Sequence, residues 1–168
     1  MSDYSLIYEK LYKLFDNTTP MHFDCGLLCS HSCCRDNGSG MYLFPHEEEY
    51  LESLGHDFTI TESNFIFNYS FVKLLVCNGY CNRGIRPLSC RIFPLFPYLR
   101  NGRISVDFDP RAKGMCPLLF TDIDELYILG LFRLKVFKAG TIVSDITELA
   151  NFLENYSAEL DTIARFKL

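Results

Sequence analysis

The stretch FPLFPYLRNGRISVDFD, from Phe93 to Asp109, decides the fold class. Asn101-Gly102 lies between two β-rich runs, and both residues accept the positive φ of a type I′ turn, which predicts a tight antiparallel hairpin. Pro94 and Pro97 lack the N–H that a ladder requires, so the first strand is placed at an edge or shortened. Upstream, Asp57 to Val76 is rich in Phe, Ile, Thr, Tyr and Val with short polar breaks. Two further strands are expected there, with Phe65, Phe67 and Phe71 in the core. Downstream, Thr121-Asp122-Ile123-Asp124 can cap a helix carrying Leu126, Leu129, Phe132, Leu134 and Phe137 and ending near Gly140. Ser144 can cap another through Leu149, Phe152, Leu153, Leu160 and Ile163. At the other end, Leu6, Ile7, Leu11 and Phe15 predict a helix over residues 4–15. Pro45 followed by HEEEYLESLG predicts a helix with acids in its first turn and Gly55 at its close. The class expected is α+β: a small antiparallel sheet with cysteine-rich loops, flanked by N- and C-terminal helices.

At 168 residues the chain is the size of one ordinary domain, read as a single unit over 1–168. Within it, residues 22–118 form the expected metal-binding core and 121–168 a helical pair. With 48 % hydrophobic and 22 % charged residues it can bury a real core. The net charge of −5 and a pI near 5.3 argue against nucleic acid or an anionic membrane surface as general partners. The N-terminal MSDYSLIYEKLYKLF does not read as a secretory signal, and LYILGLF, ended by Arg133, is far too short to span a bilayer. A reducing, cytoplasmic setting is therefore expected. There, disulfides do not persist and clustered cysteines point to metal or catalysis.

The chain has eight cysteines. The first cluster is Cys25-Gly-Leu-Leu-Cys29-Ser-His-Ser-Cys33-Cys34, and the second is Cys77-Asn-Gly-Tyr-Cys81, followed by Cys90 in RPLSCRIFPLFP. Cys116 stands alone in KGMCPLL. A metal site needs deprotonated sulfur converging from several directions, which one short segment rarely supplies, so two clusters folded together meet the need. If residues 25–33 formed one helix, Cys25, Cys29 and Cys33 would line one face, with Cys34 turned about 100° away. Cys33 and Cys34 then have different roles. No C-x2-C knuckle occurs, which weakens a zinc ribbon, whereas iron–sulfur spacings vary more. Scattered single cysteines are usually small core residues, and Cys116 fits that description as well as a ligand. The clustered ones have polar, glycine-rich neighbours and read as ligands. The pool is Cys25, Cys29, Cys33, Cys34, Cys77, Cys81, Cys90 and Cys116.

The double cysteine, the following RDNGSGMYLFPHEEEYLESLG and the later CNGYCNRGIRPLSCRIFPLFP resemble the CxxCxxCC putative zinc- or iron-chelating proteins. This is the YkgJ-type cysteine-cluster family, which includes the flagellin lysine N-methylases. The likeness spans about residues 22–118, with the family's Arg-Pro-x-x-Cys-Arg-x-Phe-Pro on Arg86, Pro87, Cys90, Arg91, Phe93 and Pro94. It implies a zinc ion or an iron–sulfur cluster, four-iron in the methylase branch, and in that branch an S-adenosylmethionine-dependent protein lysine N-methyltransferase. The first spacings here are three and three rather than two and two, and the chain is short for a methylase. A third reading is a structural zinc interaction module whose C-terminal helices meet a protein partner. An exposed apolar patch on those helices would favour it.

Of the four histidines, His31 alone lies among the cysteines and could replace a thiolate; His46 and His56 flank the acidic helix and read as surface groups at its ends, and His22 is given no role. Glu47, Glu48 and Glu49 read as a solvated helix face. Arg35, Arg83, Arg86 and Arg91 adjoin candidate ligands and can offset thiolate charge, bond nearby carbonyls or hold an anionic substrate. Structural support is the expected role of the group, with Arg91 the first choice for a functional residue beside the ligands. No G-x-G-x-x-G or G-x-x-x-x-G-K-[ST] motif is present, and no catalytic residue is assigned.

Overall fold

A computed structural model describes residues 3–34, 40–56, 58–76, 82–119 and 130–166, with the backbone alone at Cys29 and Cys34. The chain is α+β, with helices towards both of its ends. In order it forms α1 (Asp3–Leu14), α2 (Gly26–Cys29), β1 (Gly40–Tyr42), α3 (Glu47–Ser53), β2 (Thr59–Phe67), β3 (Ser70–Val76), α4 (Leu88–Ile92), β4 (Leu95–Arg100), β5 (Arg103–Phe108), α5 (Gly130–Ser144) and α6 (Thr147–Phe166). It divides into two compact units, Met1–Asp16 with Cys34–Arg91, and Asn17–Cys33 with Ile92–Leu168.

In the first unit, an antiparallel sheet in the order β1-β3-β2 accompanies α1 and α3. The predicted pair of strands over 57–76 is present, turned by Asn68 and Tyr69 at φ 49° and 62°. Phe65 is buried and lies 5.3 Å from the Tyr42 ring. Phe71 is not core: it pairs with Ile66, and both are more than half exposed. Val72, one residue on and therefore on the opposite face, is buried instead, and so is Leu75 further along the strand. The buried face of the first helical segment is only partly the one expected: Leu11 and Phe15 are buried as predicted, but two tyrosines take the place of Leu6 and Ile7. Tyr8, Leu11 and Tyr12 are buried while Leu6 is 55 % exposed. Tyrosine rings contribute large apolar area provided their hydroxyls find acceptors. Tyr8 Oη donates to the Pro45 carbonyl at 2.5 Å and Tyr12 Oη to Glu47 at 2.8 Å. Tyr50 of α3 completes the cluster, its ring 6.0 Å from Tyr8 and 5.1 Å from Tyr12.

In the second unit, the predicted hairpin is β4–β5, turned by Asn101 at φ 51° and Gly102 at φ 70°. Arg100 and Arg103 close the turn as a hydrogen-bonded pair, and bonded and non-bonded pairs then alternate. Pro97, opposite Val106, falls on a non-bonded position where no N–H is required. The same alternation points the Leu99 N–H outward, where it donates to Ser157 Oγ of α6 at 3.0 Å. The outward Val106 carbonyl accepts from Arg133 of α5. The two helices thus satisfy edges that would otherwise invite another strand. Leu95, Phe96, Tyr98 and Leu99 are all buried, along with Phe132, Val136, Leu149, Phe152, Leu153 and Tyr156.

The C-terminal helices depart from expectation at their ends. The predicted start at Thr121, with Leu126 and Leu129, lies outside the described residues. Gly140 does not end α5, which continues to Ser144. A Cβ on Gly140 would sit 2.6 Å from Pro97 Cβ and 3.2 Å from Ile104 Cγ2, so the glycine lets the helix approach the hairpin closely. Ser144 closes α5, donating to the Thr141 carbonyl, and α6 begins at Thr147. Leu134 and Phe137, expected inside, are 66 % and 47 % exposed.

Candidate functional site

The segment from Cys25 to Cys34 is not one helix. α2 stops at Ser30 and His31, both left-handed at φ 50° and 57°, and their N–H groups bond to the Gly26 carbonyl. A separate 3-10 turn follows over Ser32–Cys34. The spacing of four therefore does not place Cys25, Cys29 and Cys33 on one helical face. The His31 ring occupies the space that a Cβ on Gly26 would fill, and Gly26 N donates to Asp24 at 2.9 Å.

Cys25, Cys90 and Cys116 are half-buried thiols, and Cys33 is exposed. Cys25, Cys33 and Cys116 belong to the second unit, and Cys90 to the first. Cys116 is not part of the buried core; its N–H caps the turn Pro110–Ala112 by bonding to the Ala112 carbonyl at 2.9 Å. Cys77 and Cys81 lie outside the described residues, as do the side chains of Cys29 and Cys34 and all of Arg35. Among the described residues no three His, Cys, Asp or Glu side chains converge as a metal ion would require. In the second unit this includes Cys25, Cys33 and Cys116.

Cys90 has the most constrained surroundings. Its neighbours Leu88, Ser89, Arg91 and Ile92 are all buried. Arg91 folds back along its own segment: Nε donates to the Arg86 carbonyl, and Nη2 to those of Arg83 at 3.1 Å and Gly84 at 2.8 Å. Nη1 donates to the Tyr12 carbonyl at 3.2 Å and lies 3.6 Å from Asp16. The guanidinium also lies over the Tyr12 ring, 4.1 Å from its centroid. Asn82 caps the turn Arg83–Ile85 from the other side, accepting from Gly84 N at 2.9 Å. These bonds give Arg91 a structural role, the one expected of the four arginines as a group rather than the functional one for which Arg91 itself was singled out.

Glu47 was misread from the sequence. It is fully buried, with Oε1 accepting from Tyr12 Oη at 2.8 Å and Leu88 N at 2.6 Å, and Oε2 from Phe44 N at 3.0 Å. Burial raises its pKa; the bonds from Leu88, Phe44 and Tyr12 and the nearby Arg91 charge oppose that rise without cancelling it. Burial, reinforced by the negative charge of Glu47, raises that of Tyr12. Burial lowers that of Arg91, against the pull of Tyr12, Asp16 and Glu47. A signal was available: Glu47, Tyr50 and Leu51 share an i, i+3, i+4 face, so the first acid of the run lies on the apolar stripe.

A second buried charge escaped the sequence entirely. Arg111 holds Asp109 through Nε and Nη2, the latter at 2.5 Å, and also donates to Tyr156 Oη at 2.7 Å. It ties the end of β5 to α6. Among the described residues no helix is long and apolar enough to cross a membrane. Comparison of the chain with protein-family models, curated proteins and solved structures finds no match.

Proposed function

We propose that this chain is a cysteine-ligated metal protein of the YkgJ type, working in a reducing, cytoplasmic setting and holding an iron–sulfur cluster or zinc. The ligands are drawn from Cys25, Cys29, Cys33, Cys34, Cys77, Cys81, Cys90 and Cys116. The observation that carries this reading is where the thiols lie. Cysteine without a disulfide is among the most buried residue types, yet none of the four described cysteine side chains is in the buried core. Thiols that stay accessible, as Cys33 does fully and Cys25, Cys90 and Cys116 do in part, are available for chemistry rather than committed to packing. A donor set of sulfur alone suits zinc and iron–sulfur clusters better than hard cations. An iron–sulfur cluster would add a redox couple, whereas zinc would serve as a structural ion.

Metal analysis and a visible spectrum on protein purified without oxygen test this directly. Broad visible absorption with about four irons per chain is the outcome for one four-iron cluster. A colourless protein with one or two zinc ions indicates a structural site. Protein with neither metal, and unable to take up either when reconstituted, would sink the proposal. Cys90→Ala should lower metal content more than Cys116→Ala, and equal retention in Cys90→Ala and wild type would remove Cys90 from the ligand set.

One observation favours the zinc interaction module as the second reading. Leu131, Leu134 and Phe137 recur every third residue along α5 and are 59 %, 66 % and 47 % exposed. An apolar stripe of this kind is a feature of partner-binding helices. Zinc rather than iron in the purified protein would move the reading there.

A further inference from the structure

We infer that the arm bearing Cys90 is assembled by the protein before any metal arrives, and that Arg91 is the positioning residue that assembles it. The segment 82–92 is short of regular structure: a three-residue 3-10 turn, an extended link and a five-residue helix. Such a segment would ordinarily owe its order to a bound ion, since metal binding and folding are coupled in small cysteine sites. Here the order has another source. Arg91 gathers the carbonyls of Arg83, Gly84 and Arg86 with one planar guanidinium and anchors them to the Tyr12 carbonyl at the end of α1. Glu47 fixes the far end, taking the Leu88 N–H that opens α4. Ser89 Oγ adds a bond to the Tyr42 carbonyl at 2.6 Å. Every one of these partners belongs to the first unit.

The geometry explains why arginine rather than lysine stands beside the cysteine. Four carbonyls in different directions need a rigid fork of donors, and the flat face stacks on Tyr12; an ammonium offers neither. The inference rests on the proposed metal reading only for Cys90 as a ligand, because the internal lock is a property of the protein alone.

Hydrogen exchange on the whole chain, stripped with chelator under reducing, anaerobic conditions, tests it. Amides of 83–92 should exchange slowly in the metal-free wild type and change little on reloading. Arg91→Lys should speed their exchange roughly tenfold or more, while amides of α6 stay protected and report that the chain is folded. In the loaded protein Arg91→Lys should weaken metal retention against chelator by about 10- to 100-fold, as loss of a ligand-supporting bond does elsewhere. Cys90→Ser separates the two ideas: it should lose retention yet keep the slow exchange. Fast exchange of 83–92 in the metal-free wild type, becoming slow only on loading, would overturn the inference, as would unchanged exchange in Arg91→Lys. If the wild type binds no metal, the metal reading fails, and the exchange data still decide whether the lock exists.

Discussion

Each unit combines an arginine with a buried carboxylate and a buried tyrosine, and each wires them differently. In the second unit Arg111 and Asp109 face each other directly, with Tyr156 as a third side chain. Burial alone would lower the Arg111 pKa, but Tyr156 and Asp109 more than offset that, and the net direction is up. In the first unit Arg91 bonds to backbone carbonyls and Glu47 takes two backbone N–H groups besides Tyr12. The side-chain pair joins a strand end to a helix that already has a large apolar core around it. The backbone-directed groups hold a segment with little regular structure of its own. A buried pair of side chains can in principle be exchanged for uncharged groups of similar volume, provided that the one main-chain donor Asp109 also serves, Arg111 N, keeps an acceptor. A carboxylate that satisfies main-chain donors cannot, because the donors stay after the side chain has gone.

The largest expected effect follows from that distinction. Glu47→Leu leaves Tyr12 Oη and two main-chain N–H groups without their acceptor, which should cost about 3–5 kcal/mol in urea unfolding. A loss below about 1 kcal/mol would break the comparison at its stronger end. In the second unit, Arg111→Met leaves a buried Asp109 and should cost about 3 kcal/mol. Adding Asp109→Asn should restore stability to within about 1 kcal/mol of wild type, because the pair is then neutralised as a unit while the turn keeps its cap at Arg111 N. If the double variant stays as unstable as the single, the two arrangements are energetically alike and the contrast fails.

The smallest effect sharpens the comparison by adding a solvent-exposed pair. Arg100 donates to Asp161 at 2.9 and 2.5 Å, but both side chains are more than a third exposed. Arg100 lowers the Asp161 pKa. A carboxylate depressed in the folded state stabilises it above the unfolded pKa, and that contribution disappears as pH falls through the folded value. Asp161→Asn should therefore cost only about 0.5 kcal/mol near neutral pH, and the difference from wild type should vanish in acid below the usual carboxylate range. A difference that persists unchanged in acid would show that packing, rather than charge, holds this contact.

Much of the fold was legible in local chemistry. The hairpin turn was fixed by two residues that tolerate positive φ, and the strands of 57–76 by β-branched and aromatic content. The acidic helix was marked by Pro45 and Gly55. What failed was phase: that Tyr8 and Tyr12 of α1 turn inward, that Phe71 of β3 turns outward, and which apolar stripe of α5 is buried. A period is a local property, whereas the choice among overlapping stripes depends on what packs against them. The fate of Gly140 shows the same division, for only the nearness of Pro97 and Ile104 explains why a helix keeps a glycine in its interior.

The candidate site divides in the same way. The sequence by itself determined the thiol inventory, its clustering in polar segments and an arginine beside Cys90, because these depend on residue type and spacing. Only the tertiary structure decided that Cys25, Cys29 and Cys33 do not share a helix, that Glu47 is buried, and that Arg91 is committed to the main chain. Those outcomes depend on which backbone groups lack partners after the chain has folded, and residues as far apart as Tyr12, Glu47, Leu88 and Arg91 meet that need together.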